Sequence, residues 1–396
     1  MSDGIIVINA GSSSIKFSLY VGANNGGLHL LNKGQIEGIN VAPTFTAKTP
    51  DGKGLADTKF DAHVSHDELF EHMLDWIEHH LDGADLIAAG HRVVHGGRHF
   101  ASPVITNEQV LAELDKLVPL APLHQSHNLD PIRTLARLHP DLPQVACFDT
   151  SFHTTNDNLA TLFAVPRWLV DEGVRRYGFH GLSYEYISQR LHTVDPELAK
   201  GKVVVCHLGS GASMCAIDNG RSVASTLGFT AVDGLPMGTR TGALDPGVVL
   251  YLLQEKKMDA KQIETLLYKQ SGLLGLSGVS NDMRVLMESS DPHAQEAVDY
   301  FIYRIAREMG SLAAAMGGLD GVVFTAGIGE HSPQLRSAVL DKAGWLGLSI
   351  DPARNHVAEG RISPDHSKPA YVIPTDEELM IAMHTSRLLG QAAAAE

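Results

Sequence analysis

The sequence predicts an α/β protein of two related domains, and three observations carry that prediction. Short β-branched runs alternate with amphipathic helical patterns. A strand, a small polar turn and an outward strand at 5–20, IIVINAGSSSIKFSLY, recur at 203–221 as VVVCHLGSGASMCAIDNGR. The chain has 396 residues, too many for one small core.

The strand candidates are IIVIN (5–9), HRVVH (91–95), VVVCHL (203–208) and GVVFTA (321–326). Among the helices, SHDELFEHMLDWIEHHL opens with Ser65 and Glu68 at capping-box spacing, and Leu69, Met73, Trp76, Ile77 and Leu81 share one face. The segment from Asp291 to Met316 starts with Asp-Pro, suited to an N-cap and first turn. Its stripe is Val298, Phe301, Ile302, Ile305, Met309 and Leu312, and it stops at Gly317-Gly318. DEELMIAMHTSRLLG near the C-terminus reads as another helix. A third glycine loop, TAGIGEHSP at 325–333, follows a strand and precedes a helix. No linker rich in Pro, Gly or Ser divides the chain, so the boundaries come from pattern. The first domain is expected over 1–150, regaining the C-terminal helix 384–396, and the second over 151–383.

Composition narrows the function classes. Apolar residues make up 44% and charged residues 19%, a globular balance. The net charge of −15 argues against nucleic-acid binding, which needs a basic face, but not against a small anionic ligand. Three cysteines without CxxC spacing predict neither a disulfide framework nor a zinc site, and fit a reducing cytoplasm. Asp3 without a basic flank is no signal peptide, and no stretch is long enough to span a membrane. His91, His95 and His99 recur every four residues, yet the β-branched pair and Gly96-Gly97 among them read as strand into loop, not as a metal-binding helix.

Glycine and serine suit a phosphate loop because backbone N–H groups can approach the anion and hydroxyls add donors. Neither GxxxxGK[ST] nor GxGxxG is present. What remains is a pair of phosphate-binding hairpins clasping a nucleotide, the arrangement of the actin and hexokinase ATPase superfamily. NAGSSSIK (9–16), GHRVVHGG (90–97), LAPLH (120–124), FDTSFH (148–153) and YGFHGLS (177–183) appear in order. HLGSGAS (207–213), MGTRTGALDPG (237–247), SNDMR (280–284), FTAGIGE (324–330) and PTDEEL (374–379) follow. With these ten motifs the chain resembles the acetate kinases, the acetokinase family of carboxylate kinases, over essentially its whole length.

The resemblance implies two actin-like (ribonuclease H-like) domains with a nucleotide cleft between them. It implies Mg²⁺-dependent transfer of a phosphoryl group from ATP to acetate, reversible to ADP and acetyl phosphate, with Mn²⁺ able to substitute, and a homodimer. Carried over residue by residue, Asp149, His180 and Arg240 are catalytic. Arg92 binds the carboxylate, and Val94, Leu123, Phe179 and Ala231 wall the substrate pocket. Asn9 and Glu377 hold the metal, with the adjacent Glu378 not separable from Glu377 by spacing. Nucleotide contacts fall on Lys16, on His207, Leu208, Gly209, Ser210 and Gly211, and on Asp282, Met283 and Arg284. The last group is Gly327, Ile328, Gly329, Glu330 and His331. The chain departs from the family pattern at Ser210 and His331, where asparagine is usual, at Gln125-Ser126-His127 in place of Asn-Pro, and at Ala231 in place of proline.

The chemistry agrees with this reading. A small carboxylic acid titrates near the Glu reference of about 4.3, so the nucleophile is already ionised and needs no general base. The difficulty is bringing an anion to an anionic nucleotide, which cations should solve. For Asp149 this favours positioning over proton abstraction. Propionate kinase is the alternative within the same chemistry. An actin-like ATPase would have no use for Arg92, and a sugar kinase would need Asp149 as a base.

Overall fold

The computed structural model describes residues 3–11, 14–22, 27–39, 41–121, 124–356 and 359–393. The expected pocket residue Leu123 and the turn residues Ser12 and Ser13 lie outside these. The chain divides into two compact units, Met1–Ser151 with Asp376–Glu396, and Phe152–Thr375. The chain therefore returns to the first unit at Asp376, ahead of the expected 384. The physical reason is that the last helix, Glu377–Ala393, begins there and packs on the first sheet from its start.

Among the described residues the first unit carries eight strands: β1 (Asp3–Ala10), β2 (Ser14–Gly22), β3 (Leu28–Glu37), β4 (Thr44–Lys48), β5 (Gly54–Lys59), β6 (Asp85–Val93), β7 (Val104–Ile105) and β8 (Gln144–Phe148). Their order is β5-β4-β3-β2-β1-β6-β8-β7. The second unit carries β9 (Lys202–Leu208), β10 (Ala212–Asp218), β11 (Arg221–Ser225), β12 (Gly321–Thr325), β13 (Gly360–Arg361) and β14 (Ala370–Val372), in the order β11-β10-β9-β12-β14-β13. One pattern recurs at the heart of both sheets. An antiparallel meander of three strands (β1–β3, and β9–β11) is joined on its first strand by two parallel ones (β6 and β8, and β12 and β14). This shared order is the structural content of the sequence repeat, and it is the ribonuclease H-like arrangement.

The helices follow their sequence signals. Ser65 accepts from the Glu68 amide while the Glu68 carboxylate accepts from the Ser65 amide, and the helix runs His66–Glu78. Leu69, Phe70, Met73, Leu74 and Ile77 bury against Phe17 and Phe45, whose rings stack 5.9 Å apart. In the second unit Pro292–Met316 is capped by Asp291 and ended by Gly317 at φ 66°. A left-handed residue there closes the last turn without a Cβ clash.

Three histidines are buried within these cores, and burial pushes His91, His95 and His153 each down from 6.5 to about 4. Below 6.5 the unfolded chain takes up protons that the folded rings refuse, so stability falls as pH drops through this window. By about pH 5.5 the loss is about 1.4 kcal/mol per ring, about 4 kcal/mol for the three. Calorimetry from about pH 7.5 to about pH 5.5 should show Tm falling with uptake of protons on unfolding; a flat Tm would contradict neutral burial.

Candidate active site

In the first unit the parallel pair β6 and β8 delivers the key charges. Arg92 is the penultimate residue of β6, opposite Cys147, and Asp149 follows β8 directly. The Asp149 amide donates to the Val93 carbonyl at 3.1 Å, extending the ladder by one bond. Arg92 then donates through Nε to Asp149 Oδ1 at 3.0 Å and through Nη2 to Oδ2 at 2.6 Å, a bidentate pair. Asp149 is 1% exposed and the Arg92 side chain 21%, so the carboxylate is sunk and the arginine side chain is partly open.

Glu377, first residue of the last helix, places Oε2 3.8 Å from Arg92 Nε. Of the two adjacent glutamates it is therefore Glu377 that reaches the pair. Burial pushes its carboxyl up, and Asp149, Glu378 and Asp376 push the same way against the opposing pull of Arg92. Burial alone would lower the Arg92 guanidinium, but Asp149 and Glu377 hold it above its ordinary value. Asn9 is half-buried near the end of β1, paired with the exposed Lys16 on β2.

Two residues that sequence reasoning missed hold this arrangement. Asn128 accepts from the Val94 amide at 3.0 Å and donates to the Ala10 carbonyl at 2.8 Å, tying the chain just past β6 to the end of β1. Gln125, at the family departure, accepts from the His95 amide at 3.2 Å and donates to the His95 carbonyl at 3.0 Å. Both side chains are buried, as is Val94. A backbone amide left unpaired there would cost about 1–3 kcal/mol.

In the second unit the turn between β9 and β10 closes with the Gly209 amide donating to the Gly211 carbonyl at 3.0 Å. Beside it β12 runs parallel to β9 and leads into the short helix Ala326–His331. Together they wall a cavity of about 710 Å³. Of the expected nucleotide residues, Gly209, Ser210, Asp282, Met283, Arg284, Gly327, Ile328 and His331 line it. Asn281, Met287, Glu288, Ser332 and Gln334 line it too, without having been anticipated. The others stand differently. Leu208 is fully buried, Gly329 packs against the Cys206 carbonyl, and Glu330 accepts from Thr325 Oγ1 at 3.4 Å and the Thr375 amide at 3.3 Å. His207 is buried with Nδ1 2.8 Å from Ser183 Oγ.

Arg336 was also missed. Fully buried, it donates to the Gly329 and Glu330 carbonyls at 2.8 and 2.7 Å and to Asn355 Oδ1 at 2.9 Å, which ends the Ala326–His331 helix firmly. Burial lowers its guanidinium to about 10.

His180 caps the helix Gly181–Val194 at φ 57°, a left-handed conformation uncommon outside glycine and asparagine. Arg240 Nη1 donates to the Ala231 carbonyl at 3.0 Å. A Cβ at Gly211 would sit 3.3 Å from His180 Nε2 and 4.0 Å from Arg240 Nη1, so the hairpin turn lies against both. Phe179 is buried beside His180, and Ala231 is half-buried. The second unit thus gathers a phosphate-type turn, a cation and an imidazole around one glycine.

A family model described as the acetokinase family matches residues 4–383. The chain belongs to the acetokinase family. It is 55% identical over 393 residues to an acetate kinase of Rhodopseudomonas palustris, covering 98% of this chain and 99% of the relative. Among solved structures, a Porphyromonas gingivalis acetate kinase superposes at TM-score 0.88 with 36% identity, covering 98% of this chain and 100% of that one. A Francisella tularensis propionate kinase superposes at TM-score 0.90 with 35% identity, covering 97% and 99%. The fold is thus shared with solved proteins named for either acid.

Proposed function

We propose that this protein transfers the γ-phosphoryl group of ATP to acetate, reversibly, giving acetyl phosphate and ADP. The observation that carries the reading is Arg92, a partly exposed side chain whose guanidinium is locked by the buried Asp149 where two parallel strands end. A fixed cation of this kind suits a planar carboxylate. One acetate oxygen forms the new bond to phosphorus, the bond from phosphorus to the ADP oxygen breaks, and ADP leaves with the electron pair. No proton moves, so Asp149 acts by holding Arg92. The nucleotide occupies the second unit's cavity, and Arg240 and His180 stabilise the charge on the transferring group.

A hard divalent cation fits the acidic donors of the first unit. Among the described residues no group of three or more His, Cys, Asp or Glu could hold a metal alone. Mg²⁺ commonly takes only one or two protein carboxylates, completing its shell with phosphate oxygens and water. Asn9 and Glu377 would supply the protein's share, and a cation there would offset the burial and the neighbouring acids that raise the Glu377 carboxyl. When bound, Mg²⁺ neutralises charge on the nucleotide phosphates.

Incubation of the protein with ATP, Mg²⁺ and acetate should yield ADP only when acetate is present, with acetyl phosphate in equal amount. ADP release that ignores acetate would overturn the proposal. Ala231 bears on selectivity. Proline is usual there, and the smaller alanine leaves room for one more methylene, worth about 1–3 kcal/mol in a fitted pocket. Propionate should then be used with kcat/KM less than about a hundredfold below acetate. Ala231→Pro should cut propionate turnover more than acetate turnover; an unchanged ratio removes Ala231 from the pocket.

A homodimer is part of the same reading. The apolar helix Pro246–Gln254 has no buried residue, with Leu250 and Tyr251 about half exposed, which a lone soluble chain seldom tolerates. Light scattering should give twice the chain's 42.6 kDa; the single-chain mass would refute it. A reducing cytoplasm fits three buried cysteines that form no disulfide. No described helix is long and apolar enough to cross a membrane.

A further inference from the structure

Behind His180 lies a run of hydroxyls that the transfer reading does not use. His180 Nδ1 is 2.8 Å from Ser213 Oγ, and the Tyr184 hydroxyl is hydrogen-bonded to the same oxygen. Ser213 and Tyr184 are both fully buried. Tyr184 stands one turn into the helix that His180 caps, and Ser213 stands on β10 just past the hairpin turn. On its other side His180 stacks on His207, ring centroids 4.2 Å apart and 19° from parallel.

That stack disfavours two charged rings, since like charges this close repel and more strongly so away from water. A neutral His180 has one N–H, and its location decides what Nε2 can do. Nε2 is the atom that faces Gly211. If Nδ1 carries the proton, Nε2 presents a lone pair, which repels an anion. If Nδ1 accepts from Ser213, Nε2 carries the proton and can donate.

Ser213 has a single hydroxyl proton, and Tyr184 decides its direction. A phenol is the more acidic hydroxyl, about 10 in its ordinary pKa, and gives part of its oxygen lone pair to the ring. It is therefore the better donor and the poorer acceptor of the two. When Tyr184 donates to Ser213 Oγ, the serine proton is free to point at His180.

Resting on the reading that an anion comes to His180, we propose that Tyr184 and Ser213 are positioning residues that set its tautomer. Tyr184 O–H donates to Ser213 Oγ, and Ser213 O–H donates to His180 Nδ1. Nε2–H is thereby fixed as a donor toward the transferring phosphoryl oxygens. No bond other than hydrogen bonds forms or breaks.

The test is nitrogen-15 NMR of the full chain with labelled histidine, at a pH where the ring is neutral, with His180 assigned by the resonance lost in His180→Gln. The wild type should show the Nε2–H tautomer. Tyr184→Phe, which keeps the ring and removes the donor, should shift His180 toward a mixture and lower kcat about tenfold while nucleotide KM holds. An Nδ1–H tautomer in the wild type overturns the proposal. So does a Tyr184→Phe protein with the wild-type tautomer. Because the NMR arm needs no substrate, its failure is distinguishable from failure of the acetate assay, and an Nδ1–H wild-type spectrum overturns the proposal even where the variant does not fold.

Discussion

Arg240→Ala is expected to lower kcat by roughly 10³-fold or more while leaving nucleotide KM nearly unchanged. The reason is where the guanidinium sits. Its Nη1 is anchored on the Ala231 carbonyl at 3.0 Å and lies against the hairpin turn at Gly211. A cation at a phosphate turn gains most when charge spreads over the transferring group, a change confined to the transition state. Nucleotide affinity is expected to depend instead on the residues lining the second unit's cavity, among them Ser210, Asp282 and Gly327. Steady-state kinetics of the variant decide the matter, and near-normal turnover would remove Arg240 from the chemistry.

Arg92→Leu should act on both stability and substrate binding. It strips the one ion-pair partner that Asp149, 1% exposed, has among the described residues, and leaves Glu377 facing another acid. Removing one partner of a buried pair costs about 3–5 kcal/mol because the remaining charge is uncompensated. Acetate KM should rise as well, since the carboxylate loses its cation. The two effects separate in the double variant. Adding Asp149→Asn to Arg92→Leu should recover much of the lost stability in urea unfolding without restoring acetate binding. If the second substitution recovers no stability, the charge left on Asp149 is not the cause.

Much of the fold was legible because its signals are local. The Ser65–Glu68 box and the Asp291 and Gly317 caps each sit within a turn of the helix they bound. Strand β6 was only half seen. Its DLIAAG start has few β-branched residues and is held by β1 and β8 on either side instead of by propensity. The polar strands β3 to β5 carried no strand signal, yet they extend the antiparallel edge of the first sheet.

The candidate site divides in the same way. Arg92, Asp149, His180 and Arg240 were named as candidates through the motifs that hold them. Gln125, Asn128 and Arg336 were not, because they act by gripping backbone groups. Asn128 does so at Ala10 across a separation of 118 residues. No period or spacing in the sequence records such a bond. The choice of Glu377 over Glu378 likewise depended on which face of a helix start meets Arg92.

The claim that the carboxylate itself attacks phosphorus, aided by cations and by no base, has one direct test. Acetate labelled with oxygen-18 in both carboxyl positions should give acetyl phosphate whose phosphorus carries one labelled oxygen, visible as an isotope shift in its phosphorus-31 resonance. Every molecule of product should show it, since the bridging oxygen comes from acetate. Unshifted acetyl phosphate, or inorganic phosphate without acetyl phosphate, would contradict the mechanism.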